Sequence, residues 1–149
     1  MDFHASEVPG LREAFYDFAS KIKIDSKEIG GESFFEPYTA QNIYFDGVFD
    51  GLSDDVHWFV VLKARQLGIT TGSLILDLFW ISYFPGLQGA IVTDTPDNAV
   101  KIRLLLTRMI DSLPKSFSIP IVSHNKTGLV LSNGSSLDYI SAGTRRNGG

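Results

Sequence analysis

Two apolar stretches joined by a short polar loop constrain the fold of this chain more than any other feature. Residues 57–62 form a run without polar alternation, which is typical of a central parallel strand covered on both faces. Residues 70–84 are hydrophobic nearly all round, which predicts a buried helix. Pro85 and Gly86 end that helix. The sequence therefore predicts a buried strand, a loop and a buried helix in succession.

Two helices are expected before this unit. Over residues 11–24 the apolar residues recur at spacings of four, three and four, which predicts one face of an amphipathic helix. These residues are Leu11, Phe15, Phe18 and Ile22. A short helix is also expected over residues 39–45, with Gly47 and Gly51 loosening the segment that follows.

A second strand and a further helix are expected after the buried helix. Residues 90–93 read as another buried strand. Asp94 or Thr95 can cap the next helix, which begins near Pro96 and ends before Pro114. Its apolar residues recur on one side, as expected for a helix that packs against a sheet.

The C-terminal part reads as β-structure. Residues 117–123 are expected to form an edge strand, because Pro120 cannot donate a hydrogen bond to a neighbouring strand. Residues 129–131 and 137–140 flank Ser132-Asn133-Gly134-Ser135, a strong hairpin signal. The order of the elements predicts an α/β fold, with helices flanking the sheet and a β-hairpin near the C-terminus.

Composition narrows the classes of function. The chain of 149 residues is 44% hydrophobic, which describes an ordered globular domain. A formal net charge of -4 gives no overall attraction to nucleic acid, so any DNA contact must come from a local patch. The absence of cysteine excludes disulfides and thiolate metal sites. No secretory signal or membrane span is recognisable, and we expect a soluble intracellular protein.

The loop between the two apolar stretches carries the candidate chemistry. In the phosphate loop GxxxxGK[ST], backbone amides at a helix N-terminus hold phosphates. Gly68 and Thr70 match the second glycine and the hydroxyl, whereas Ile69 replaces the lysine and Lys63 replaces the first glycine. Lys63 and Arg65 could supply the cation from the other end of the loop. An ordinary strand-to-helix turn with two solvated cations remains the alternative.

The segment Lys63-Ala64-Arg65-Gln66-Leu67-Gly68-Ile69-Thr70-Thr71 resembles the deviant Walker A motif of phage terminase large subunits, K-[AS]-R-Q-x-G-x-[ST]-T. This resemblance implies a P-loop NTPase-type sheet that binds ATP and Mg²⁺. It implies catalytic phosphate contacts from Lys63 and Arg65, with a Mg²⁺ ligand in the Thr70 hydroxyl. The residues implied to bind the nucleotide are Gln41, Lys63, Ala64, Arg65, Gln66, Gly68, Ile69, Thr70 and Thr71.

Three further segments resemble the same family. Pro37-Tyr38-Thr39-Ala40-Gln41 is similar to its adenine-contacting segment, in which Gln41 would read the base. Residues 89–114 resemble the second strand and helix of the motor core. Residues 133–149 resemble the hairpin and glycine-rich segment that precede the Walker B strand. The expected organisation is an N-terminal helical segment, 1–33, and a partial P-loop ATPase domain, 34–149.

The resemblance also implies a setting for the protein. The Walker B strand, the coupling motif and the nuclease domain would follow Gly149, so this chain alone should hydrolyse ATP poorly. The expected function is ATP hydrolysis that drives DNA into a procapsid, in the host cytoplasm of a phage or prophage. The implied partners are double-stranded DNA, the small terminase subunit, the portal protein and other copies in a ring, without a membrane.

Several charged residues outside the loop are candidates for other roles. Asp94 is a candidate acid that is better explained as a helix cap, and Asp138 is expected to be solvated. Lys101 and Arg108 share one helix face that could touch DNA phosphate or a neighbouring subunit, although solvation is the simpler interpretation. Arg145 and Arg146 could act on phosphate from a glycine-rich loop. Asp77 needs a packing partner in its apolar helix.

Two other functions remain open at this stage. A superfamily-two helicase or related DNA translocase also pairs an upstream Gln with a phosphate loop, but Ile69 departs from its usual GK[ST]. The other possibility is a non-catalytic interaction domain that uses the sheet as a scaffold. Failure of the complete protein to bind ATP–Mg²⁺ would favour that second possibility.

Overall fold

A computed structural model of the chain describes residues 4–26, 30–62 and 68–145. The described part is mixed α/β, with four α-helices and two antiparallel or mixed sheets. The helices are α1 (Val8–Ser20), α2 (Thr39–Ser53), α3 (Ile69–Tyr83) and α4 (Pro96–Ser112). The strands are β1 (Lys23–Ser26), β2 (Gly31–Phe34), β3 (Gln88–Thr93), β4 (Ile121–Asn125), β5 (Gly128–Leu131) and β6 (Ser136–Ser141).

The larger sheet has the strand order β3-β6-β5-β4. Strand β3 is parallel to β6, while β5 is antiparallel to both β6 and β4. Gly134 has a φ of +86° in the turn between β5 and β6, which explains the glycine in the hairpin signal. The hairpin was predicted correctly. Strand β4 lies at the sheet edge as predicted, but it spans residues 121–125 instead of 117–123, so Pro120 precedes the strand. Strands β1 and β2 form a separate two-stranded antiparallel sheet.

The core lies where α1, α2 and α3 meet. Phe15 of α1 is fully buried, and its ring centroid lies 4.8 Å from that of Phe45 and 5.4 Å from that of Phe79. Leu106 of α4 and Leu129 of β5 are also fully buried in the same cluster. Helix α3 is buried on most sides, as its sequence predicted, because it packs between the other helices and the sheet.

Two predicted helices have different bounds from those expected. Helix α1 begins earlier, at Val8, and ends at Ser20, while Ile24 lies in β1. The apolar spacing continues past the helix because Ile22 is fully buried in the core from an irregular segment. Helix α2 extends to Ser53 rather than ending near residue 45, since its buried residues continue to Leu52 and packing outweighs the helix propensity of its glycines.

The prediction that residues 57–62 form a buried central strand is wrong. The segment does not form a strand, and Trp58, Val60 and Leu62 are 92%, 92% and 95% exposed. Phe59 and Val61 on the alternate positions are 39% and 42% exposed. A strand needs hydrogen-bonded neighbours, and among the described strands β3 pairs only with β6. The segment is therefore extended and apolar but belongs to neither sheet.

None of the described helices has the length and apolar character needed to span a membrane.

Candidate functional site

The loop motif ends at a left-handed turn that begins α3. Gly68 has a φ of +69° and a ψ of 16°, a backbone conformation that glycine adopts without steric cost. A Cβ at this position would lie 2.5 Å from the Nε2 atom of Gln41. The turn is thus closely packed as well as left-handed. Both properties account for the glycine in the motif.

Gln41 connects this turn to α2. Its Nε2 donates a hydrogen bond to the carbonyl oxygen of Gly68 at 2.8 Å, and its Oε1 accepts one from the backbone N–H of Tyr38 at 2.8 Å. The residue is only 2% exposed. One amide hydrogen of Nε2 is left for another acceptor. The expected contact of Gln41 with adenine stays a prediction.

A cleft of about 620 Å³ lies between the first turns of α3, the C-terminal end of β3 and the first half of α4. Thr70 of α3, Asp94 after β3 and Lys101 of α4 reach this cleft together. Its other lining residues are Ile69, Ser73, Leu74, Asp77, Ile91, Val92, Thr93, Asn98, Ile102 and Leu105. A threonine, an aspartate and a lysine therefore line one cleft beyond the C-terminal end of a parallel strand, where ligands bind in α/β folds.

The segment between β3 and α4 holds its polar groups in place. The Thr95 side chain accepts a hydrogen bond from the backbone N–H of Asn98 at 3.2 Å, so Thr95 is the N-cap of α4. The Asn98 Nδ2 donates to the Asp94 carboxylate at 2.5 Å, and this bond lowers the pKa of Asp94 below its ordinary value. Asp94 is consequently ionised at neutral pH. Of the two predicted caps, Thr95 is confirmed, whereas Asp94 accepts a hydrogen bond from the Asn98 side chain and does not cap the helix backbone.

Asp77 is a second carboxyl group at the cleft wall. It lies on α3 and lines both the cleft and a cavity of about 400 Å³ on the other side, next to Trp80 and Leu137. Burial raises the pKa of Asp77 to about 6. Within the described part of the chain it has no ion-pair partner, so the packing partner expected from the sequence is not found there.

The remaining motif residues occupy different surroundings. Ile69 is 7% exposed and Thr70 is exposed, whereas Thr71 lines a small cavity beside Arg108. Among the described residues the Thr70 hydroxyl forms no hydrogen bond. The predicted phosphate contacts and their neighbours, Lys63, Ala64, Arg65, Gln66 and Leu67, lie outside the described residues.

Lys101 and Arg108 of α4 lie in different surroundings. Arg108 forms an ion pair with Asp25 of β1 at 2.7 Å, whereas Lys101 lines the cleft. Asp138 is exposed on β6, as expected. The side chain of Arg145 and all of Arg146 lie outside the described residues. Sequence reasoning missed Lys101 as a cleft residue, although its position two turns after the strand end was an available signal.

The cleft offers oxygen ligands of the kind that Mg²⁺ prefers. These are the Thr70 hydroxyl and the ionised Asp94 carboxylate, both in its lining. No group of three or more His, Asp or Glu residues that could hold a metal ion by itself occurs in residues 4–26, 30–62 and 68–145. This donor set fits an ion that is also held by phosphate oxygens and water, which is the usual arrangement for Mg²⁺ with a nucleotide.

Comparison with known proteins adds no assignment. The sequence matches no protein-family model and has no significant match among curated proteins.

Proposed function

We propose that this chain is the ATP-binding part of a viral DNA-packaging motor, the large subunit of a terminase, and that ATP hydrolysis at its cleft drives DNA translocation. The observation that carries the proposal is the motif at residues 63–71, together with the left-handed conformation of its Gly68 directly before α3. The first turn of α3, which follows Gly68, lines a cleft that contains Thr70, Asp94 and Lys101. A volume of about 620 Å³ suits a nucleotide.

The proposed roles follow from the chemistry of each group. Backbone N–H groups in the first turn of α3 bind phosphate oxygens, since they have no acceptor within the helix. Lys63 and Arg65 neutralise the β- and γ-phosphates from the start of the loop. The Thr70 hydroxyl is a ligand for Mg²⁺, which when bound neutralises charge on the transferred phosphoryl group. Lys101 adds a cation from the opposite wall of the cleft.

Asp94 has a supporting role in this proposal. Its carboxylate is kept ionised by Asn98 and lines the same cleft as Thr70. An ionised carboxylate near the phosphates can hold a water molecule of the Mg²⁺ shell. The partners of the proposed motor are double-stranded DNA, the small terminase subunit, the portal protein and further copies of the same subunit.

The test is the substitution Lys63→Ala in the intact protein, with Lys115→Ala as a control that removes a lysine from the exposed loop after α4. We expect Lys63→Ala to abolish ATP hydrolysis and to leave the circular dichroism spectrum and melting temperature unchanged. We expect the control to hydrolyse ATP at the wild-type rate. Unchanged turnover in Lys63→Ala would remove Lys63 from the mechanism, and failure of the wild-type protein to bind ATP–Mg²⁺ would reject the proposed function.

A further inference from the structure

A second cleft lies on the other side of α4, against the β-hairpin. It has a volume of about 420 Å³ and is separate from the cleft that contains Thr70. Arg103 of α4 and Lys126 of the turn between β4 and β5 form part of its walls. The other lining residues are Pro96, Ala99, Val100, Tyr139 and Ser141.

The charge of this second cleft is one-sided. Two cationic side chains line it and no carboxylate does, in a chain whose formal net charge is -4. Within the described part of the chain, neither Arg103 nor Lys126 has an ion-pair partner. The cleft is thus a local positive site on an acidic protein.

Tyr139 is hydrogen-bonded to His124 at the same wall. The His124 Nε2 and the Tyr139 hydroxyl are hydrogen-bonded at 2.7 Å. Burial raises the pKa of Tyr139 to about 12, so the phenol stays neutral and adds no negative charge. Burial also lowers the pKa of His124, which is therefore neutral at pH 7 and does not compete with Arg103 for an anion.

We propose that the cleft between α4 and the β-hairpin binds phosphodiester groups of double-stranded DNA through Arg103 and Lys126. Two cations on opposite walls can contact neighbouring phosphate oxygens, and guanidinium and ammonium groups are the usual protein ligands of the DNA backbone. Contacts to phosphate oxygens carry no information about base sequence. The contact is therefore independent of base sequence, as a translocating protein requires.

The choice of DNA as the polyanion rests on the proposed function, whereas the position of the site rests on the cleft itself. A net charge of -4 excludes attraction of DNA by the molecule as a whole, so binding must depend on a local site of this kind. Loss of the two cations should then remove most of the affinity. In a strongly basic protein the same change would have little effect.

The experiment measures binding of a fluorescent 20-base-pair duplex to the 149-residue chain by anisotropy between about 20 and 200 mM salt. The test variant is Arg103→Gln/Lys126→Gln. The matched control is Arg108→Gln/Lys115→Gln, which removes the same two charges from outside the cleft. We expect the test variant to lose at least about tenfold in affinity, and the slope of log K against log salt to fall by about 1.8, or 0.9 for each contact. The control should stay within about threefold of wild type.

Other results overturn the proposal. It fails if the wild-type chain does not bind the duplex, if both variants lose affinity equally, or if neither does. It also fails if inorganic phosphate at constant ionic strength displaces the duplex at low millimolar concentration, because the site would then be one for free phosphate. ATP binding by the test variant separates the two proposals. If the test variant binds ATP as tightly as the wild type but has lost DNA binding, the proposed DNA site is supported, whatever Lys63→Ala does to ATP hydrolysis.

Discussion

The side-chain amide of Gln41 donates a hydrogen bond to the carbonyl oxygen of Gly68 at 2.8 Å and accepts one from the backbone N–H of Tyr38 at 2.8 Å. A single buried side chain therefore joins the first turn of α2 to the first turn of α3, across 27 residues of sequence. The conformation of the left-handed turn at Gly68 consequently depends on α2 as well as on the loop.

Substitution Gly68→Ala should destabilise the fold by about 2–3 kcal/mol, because a left-handed φ costs about 1–2 kcal/mol for a residue with a Cβ and the new methyl group would also press on Gln41. In a Gln41→Ala background the clash is absent, so the further cost should fall to about 1 kcal/mol. The measurement is urea unfolding of the wild type, the two single variants and the double variant. Gly47→Ala is the control, since a Cβ there meets nothing within 4 Å and should stabilise α2 by about 0.5–1 kcal/mol. Equal costs in both backgrounds would show that Gln41 does not restrict the turn.

Substitution Asp77→Asn should stabilise the protein above pH 6 and change little at pH 4. The folded-state pKa of about 6 lies above the ordinary 3.8, so the folded state binds more protons and wild-type stability falls as pH rises between these values. Above pH 6 the ionised Asp77 carboxylate lowers the free energy of unfolding by its full amount, which corresponds to about 3 kcal/mol or less. Urea unfolding at pH 4 and pH 8 measures the difference between variant and wild type. Asp138→Asn, on the exposed face of β6, should change stability by less than about 0.5 kcal/mol at either pH. A difference for Asp77→Asn that is the same at both pH values would contradict the assignment.

The 149-residue chain should self-associate through the apolar face of residues 57–62. Trp58, Val60 and Leu62 are all more than 90% exposed on alternate positions, and an exposed apolar patch of this kind promotes association. Replacement of all three by lysine should make the chain monomeric in sedimentation velocity at about 50 μM, where wild type should sediment as larger species.

The control for this experiment makes the same change of charge at three exposed apolar residues outside residues 57–62. Ile43, Tyr83 and Leu104 are also exposed, at 68%, 53% and 53%, but are scattered over three helices. Their replacement by lysine should leave self-association as in wild type. A monomeric wild-type chain, or equal effects of the two triple variants, would show that residues 57–62 do not drive association.

Local sequence determined much of the secondary structure. Helix α3 was predictable because its residues are apolar on nearly every side, and the hairpin because Gly134 permits a turn with positive φ. The cap at Thr95 was predictable for the same kind of reason, since its partner Asn98 lies three residues away. In each case the deciding interactions connect neighbours along the chain.

Tertiary structure decided the rest, because strand pairing and ion pairing depend on residues that are distant in sequence. The apolar pattern of residues 57–62 is compatible with a central strand, yet a strand exists only where a neighbour supplies hydrogen bonds. Arg108 pairs with Asp25, 83 residues away, whereas Lys101 lines the cleft that also contains Thr70. Sequence periodicity places a side chain on a face of its helix, but only the path of the whole chain brings another group opposite that face.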